Sequence, residues 1–126
     1  MSTVEWIVYL AVLAALVSFM VMRRKGQVPR KQALDLVRRG AVIVDVRSAA
    51  EFSAGHLSQA FNMPASEIAA LLPGKVRDKN HVILLHCQSG MRSKKAKLSL
   101  TSMGYTQVFD LGSYERAFKI VSGRSL

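Results

Sequence analysis

Cys87 is the single cysteine of the chain, and Gln88, Ser89, Gly90, Met91, Arg92 and Ser93 follow it. It stands between an apolar run, His81 to His86 (HVILLH), and a stretch with helical spacing, Ser93 to Met103. A cysteine that leaves a strand on a short loop into a helix has several reasons to ionise. First-turn amides point back at the sulfur, and the helix dipole is positive there. Arg92 adds a permanent cation, and Lys94, Lys95 and Lys97 raise the local potential. Gly90 permits a turn that gathers successive N–H groups toward one centre, the geometry of an anion nest. The thiolate is the nucleophilic form of cysteine, so the pattern points to a reactive thiol. A small buried hydrophobe at a strand end is the bland alternative, and it is common for a free cysteine. It gives no reason for Gly90, Arg92 and a helix start to stand in register. One cysteine also excludes an intramolecular disulfide and a Cys-rich zinc site.

Asp45 and Arg47 leave a second apolar run, Ala41 to Val46 (AVIVDV), and are expected at the same edge as Cys87. Contact with the loop or its substrate is one role for them; a structural ion pair or cap is preferred. Glu51 is a natural partner for Arg47 across a helix start. His56 reads as a hydrogen-bonded structural residue and His86 as a packed one. The histidines and Cys87 lack metal-ligand spacing and no phosphate-binding glycine motif is present, so neither a metal nor a cofactor is expected.

The elements that must hold these residues follow from periodicity. Arg30 to Arg39 reads as a helix with Ala33, Leu34 and Val37 on one face and Gly40 as its stop. Ala41 to Val46 and His81 to His86 read as strands buried on both faces, and Thr106 to Leu111 as a weaker third. Ser66 to Leu72, ended by Pro73 and Gly74, and Ser93 to Met103, ended by Gly104, read as helices between them. This alternation predicts an α/β domain with a mainly parallel central sheet flanked by helices. In such sheets ligands bind beyond the carboxyl ends of the strands.

The stretch Cys87-Gln88-Ser89-Gly90-Met91-Arg92-Ser93 resembles the active-site loop of rhodanese-family sulfurtransferases. Asp45-Val46-Arg47, Glu51-Phe52, Gly55-His56-Leu57, Ala60 and Phe61-Asn62-Met63-Pro64 are similar to that family's other signature, as are Ser93, Ala96, Leu100, Gly104-Tyr105 and Val108. The likeness covers roughly residues 28–121. Gly112-Ser113 stands where the family usually has Gly-Gly, and Tyr114 and Phe118 follow with no tryptophan. Phosphatases and arsenate reductases of the same lineage place five residues between Cys and Arg; Cys87 and Arg92 enclose four, a cradle suited to one sulfur atom rather than a phosphate. The resemblance implies a rhodanese-like fold and a sulfurtransferase. Its catalytic residue would be Cys87, its substrate-binding loop Gln88 to Ser93, and Asp45 and Arg47 would support them. Thiosulfate or a related sulfane donor would load a persulfide on Cys87, and cyanide, a thiol or a protein acceptor would take the sulfur. A docking or persulfide-receiving module with little turnover of its own is the alternative.

Trp6 to Met22 carries no charge, and with Thr3 to Glu5 the run reaches about 26–30 Å as a helix, near the hydrocarbon thickness of a bilayer. Trp6 and Tyr9 sit near one end, while Arg23, Arg24 and Lys25 close the other. A cleaved signal would want basic residues before the run and small residues after it, the reverse of what stands here. A core helix apolar on every face would need a partner domain of matching size to bury it, and none is read here. The expected organisation is a transmembrane anchor over 1–25 and a rhodanese-like domain over 26–126. The anchor would lie in the cell inner membrane, with the N-terminus outside and the domain in the cytoplasm. The formal charge of +10 lacks the aromatic interleaving or motif of a nucleic-acid binder, so its blocks are assigned to the membrane flank and to anion attraction. The oligomeric state is not legible.

Overall fold

The computed structural model describes residues 2–123, without the Arg23 side chain; Met1 and residues 124–126, the outer ends of the two expected segments, lie outside it. The apolar segment forms α1, Thr3–Arg24. Ser2 and Glu5 start it with a capping box, each side chain holding the other's backbone N–H. All the residues from Thr3 to Met22 are exposed, over a mean hydropathy of 2.2, which makes α1 a candidate membrane span.

The remainder alternates helix and strand: α2 Arg30–Arg38, β1 Val42–Asp45, α3 Ala49–Ala54, β2 Ala60–Asn62, α4 Ile68–Lys75, β3 Ile83–Cys87, α5 Met91–Ser102, β4 Val108–Ser113 and α6 Tyr114–Val121. The four strands pair in parallel in the order β2-β1-β3-β4. Side chains alternate across the sheet, so Val44 and Leu85 enter one core while Ile43 and Leu84 enter the other. The first core is closed by Ile68 and Leu72 of α4 and Ala96 and Leu100 of α5. The second is closed by Ala33 of α2 and Ala117 and Ile120 of α6. Covering both faces explains why β1 and β3 are apolar without alternation. The expected α/β architecture, a parallel central sheet flanked by helices, is present.

Several boundaries differ from the sequence reading. Pro73 and Gly74 do not stop α4, which runs on to Lys75. Leu72 and Val76 are both buried, and the Val76 amide donates to the Leu72 carbonyl at 2.7 Å, so core contact on either side offsets the bond that proline cannot make. β4 starts and ends two residues later than expected, and α5 starts two residues earlier, at Met91. Neither α6 nor β2 was anticipated as an element. β2 is three residues long and gains its identity only by pairing with β1. Gly40, at φ 90°, ends α2 as expected.

Candidate active site

β3 ends at Cys87, and the chain turns at once into α5. Gly90 makes that turn at φ 97°, in the left-handed region where a side chain is strained. Its N–H donates to Cys87 Sγ at 2.9 Å. The sulfur is fully buried at the floor of the loop, whereas Gln88 and Ser89 are exposed and Met91 is 39% exposed at its rim. Ser93 Oγ donates to the Gly90 carbonyl at 3.2 Å from a buried position, bracing the turn from beneath.

Neighbouring elements fix the loop from the outside. Ser89 bridges to Ser113 at the end of β4, and the Tyr114 amide approaches the Gln88 carbonyl at 3.4 Å. Arg47 Nη1 donates to Gln88 Oε1 at 3.2 Å. Arg47 is itself pinned: its Nη2 lies 2.7 Å from Asp45 Oδ2, and Nη2 also donates to the Gly55 carbonyl at 2.7 Å. The hydrogen bonds it donates to Asp45 keep its guanidinium above the ordinary arginine pKa, against the pull of burial. Tyr114 lies over that guanidinium, 4.4 Å from Cζ to the ring centroid. Asp45 and Arg47 therefore form the preferred structural ion pair, and through Gln88 Arg47 also touches the loop.

Glu51 does not pair with Arg47. Both its oxygens accept from Arg92, at 2.6 and 2.9 Å. The Ser48 cap of α3 turns Glu51 toward α5, while Asp45 already satisfies Arg47. The Arg92 hydrogen bonds, then the Ser48 amide, pull the Glu51 carboxyl down to about 2. Arg92 is thus tied to α3, and Glu51 is a residue of the site that spacing alone assigned to the wrong arginine. Lys94, expected to face incoming anions, instead donates to the Met22 carbonyl at the end of the apolar run.

His86 is buried, with Nδ1 3.3 Å from the Cys87 carbonyl and Nε2 3.7 Å from Asp45 Oδ2. The second distance is too long for a hydrogen bond, and Nε2 has no partner. Burial lowers its pKa more than Asp45 raises it, so the ring is a neutral packed group, as expected. His56 Nδ1 lies 2.8 Å from the Phe52 carbonyl and its ring stacks on Phe52, matching its structural reading.

The sequence reading gave no role to Asp110. It is buried on β4; Oδ1 accepts from the Gly112 amide at 2.8 Å and Oδ2 has no partner. Burial raises its pKa, with Ser93 and Gly112 opposing. An aspartate inside an otherwise apolar strand was the one available signal.

The departure at Gly112-Ser113 has a local explanation. Gly112 has φ 86°, and a Cβ there would lie 2.4 Å from Gln27 Nε2. Ser113 has φ −73° and caps α6, its Oγ accepting from the Arg116 amide at 3.1 Å. Glycine is needed at the first position only; at the second, serine holds the helix start.

A rhodanese-like domain model matches residues 29–117. The thiosulfate sulfurtransferase PspE of Escherichia coli K12 is 35% identical over 69 residues, covering 55% of this chain and 66% of that relative. The thiosulfate sulfurtransferase GlpE of Pseudomonas putida GB-1 is 32% identical over 91 residues, covering 71% and 81%. The human single-domain sulfurtransferase TSTD1 superposes with a TM-score of 0.63 at 26% identity, covering 75% of this chain and 96% of that one. The chain belongs to the rhodanese-like sulfurtransferase family.

Proposed function

We propose that this protein is a thiosulfate sulfurtransferase that carries sulfur as a persulfide on Cys87. The supporting observation is the amide of Gly90 on Cys87 Sγ at 2.9 Å, at the start of a 12-residue helix. A backbone donor and a helix N-terminus both stabilise negative charge on sulfur. The thiolate attacks the outer sulfur of thiosulfate; the S–S bond breaks and sulfite leaves with the electron pair. The terminal persulfide sulfur takes up the negative charge beside the loop amides. A thiolate or cyanide then attacks that sulfur, leaves with it as a persulfide or thiocyanate, and returns Cys87 to the thiolate. Gln88 to Ser93 form the substrate-binding loop, and Asp45 and Arg47 brace it. The chain has one cysteine, so the acceptor is an outside molecule.

Residues 1–25 serve as a transmembrane anchor and 26–126 as the catalytic domain. Arg24 and Lys25 beside the apolar run favour the cytoplasmic side for the domain, at the cell inner membrane.

A partner-dependent variant has its own support. Cys87 is fully buried and Arg92 is already bound by Glu51, an arrangement suited to a protein persulfide that opens the loop as it docks. Intact-mass measurement of the full chain with thiosulfate, beside Cys87→Ser, tests the main reading. A gain of one sulfur that cyanide or a thiol removes, absent in the variant, is the expected result. No gain with thiosulfate but a gain from a protein persulfide selects the partner-dependent form. No gain from either donor overturns both.

A further inference from the structure

The anchor and the Cys87 loop are linked by more than chain connectivity. The carbonyl of Met22, last residue of the apolar run, accepts from Lys94 in the first turn of α5. The chain then reaches Gln27, which bridges to Asp110 of β4, and Val28, which is buried with its amide on the Asp110 carbonyl at 2.9 Å. Arg116 Nη2 donates to the Val28 carbonyl at 2.5 Å. The tether is therefore stapled to the sheet from Gln27 onward. The five steps from Met22 to Gln27 span at most roughly 18 Å even when fully extended. A domain held this close does not swing freely.

The outer surface of α5 suits such a position. Met91, Lys94, Lys95 and Leu98 fall within about 100° of arc on the helix. Leu98 is 66% exposed and Met91 39% exposed, and Lys95 is exposed between them. Apolar side chains interleaved with lysines form the surface that interfacial helices lay on anionic headgroups. Lys94 belongs to both features, since it sits on this arc and touches the end of the apolar run. We propose that the outer face of α5 rests on an anionic lipid surface, holding the Cys87 loop at the membrane plane. This rests on reading α1 as a membrane span. The loop would then exchange sulfur with groups presented at that surface.

The test uses the full chain carrying Cys87→Ser with either Leu98→Cys or Ser122→Cys, the latter at the end of α6 on the opposite face of the sheet. Each cysteine takes an environment-sensitive fluorophore. The proteins are placed in nanodiscs of phosphatidylcholine, with or without phosphatidylglycerol, containing lipids with a nitroxide near the headgroup. Trp6 fluorescence reports insertion of α1. The expected result is quenched Trp6, a quenched and blue-shifted label at 98 in anionic discs, and little change at 122. Lys95→Glu should remove the quenching at 98. Quenched Trp6 with equal signals at 98 and 122 would overturn the inference and leave the anchor intact. Unquenched Trp6 would overturn the anchor reading and this inference with it.

Discussion

Arg92 and Glu51 form a two-point ion pair, Nη1 to Oε1 at 2.6 Å and Nη2 to Oε2 at 2.9 Å, that ties the first turn of α5 to the first turn of α3. Two strictly local caps make it possible. Gly90 starts α5, which carries Arg92, and Ser48 orients Glu51 through a capping box. The pair joins the cysteine loop to the segment that follows the Asp45-Arg47 brace.

This pair predicts an acid signature. The Glu51 pKa is lower in the folded chain, about 2 against an ordinary 4.5, so its stabilisation is fully present above pH 4.5 and disappears as pH falls toward 2. Both side chains are more than a third exposed, so Glu51→Gln should cost no more than about 1 kcal/mol at neutral pH. Denaturant melts of the two proteins should differ at pH 6 and converge near pH 2. A constant gap across that range would show that the carboxylate charge is irrelevant.

His86 predicts a second pH effect, higher on the scale. Burial depresses its folded pKa below the ordinary 6.5, so its contribution is present above that value and is lost as pH falls through the folded pKa. His86→Leu removes the unpartnered Nε2 and should flatten stability below pH 6.5 without a large loss at pH 8. Thermal melts over that interval measure it; an unchanged slope would place the acid sensitivity elsewhere.

Gly90→Ala should separate the loop from the fold. At φ 97° a Cβ costs about 1–2 kcal/mol, which a domain with two closed cores should survive. The amide on Cys87 Sγ would be displaced, and sulfur loading should fall by about tenfold or more if that donor stabilises the sulfur charge. Single-turnover loading beside a melting curve reads both effects, and full loading at reduced stability would count against the amide's role.

The Gly112-Ser113 pair should respond unequally. Gly112→Ala meets positive φ and the Gln27 side chain, and should lose about 1–2 kcal/mol, mostly retained in a Gln27→Ala background because the backbone strain persists. Ser113→Gly should cost only a few tenths of a kcal/mol, about the difference between two acceptable caps. Equal losses in chemical denaturation would contradict the assignment of Ser113 as a cap.

Where order along the chain carries the information, the sequence sufficed. The apolar runs of β1 and β3, the apolar residues recurring every three or four positions in α2 and α5, and the Cys87-to-Arg92 spacing are short-range patterns, and they predicted the parallel α/β fold and the edge at which Cys87 stands. Patterns failed where the deciding contact is distant. Glu51 lies four residues after Arg47 yet binds Arg92, because Asp45 satisfies Arg47 and Ser48 fixes the direction of Glu51. β2 is a strand only because β1 lies beside it, and α4 continues through Pro73 because Leu72 and Val76 are buried. Lys94 is one more cation in the sequence; only the folded chain places it on the Met22 carbonyl, where α1 ends. Periodicity reports which way a side chain faces along its own element, but the choice among several partners for one charge is made by what the other elements have already satisfied.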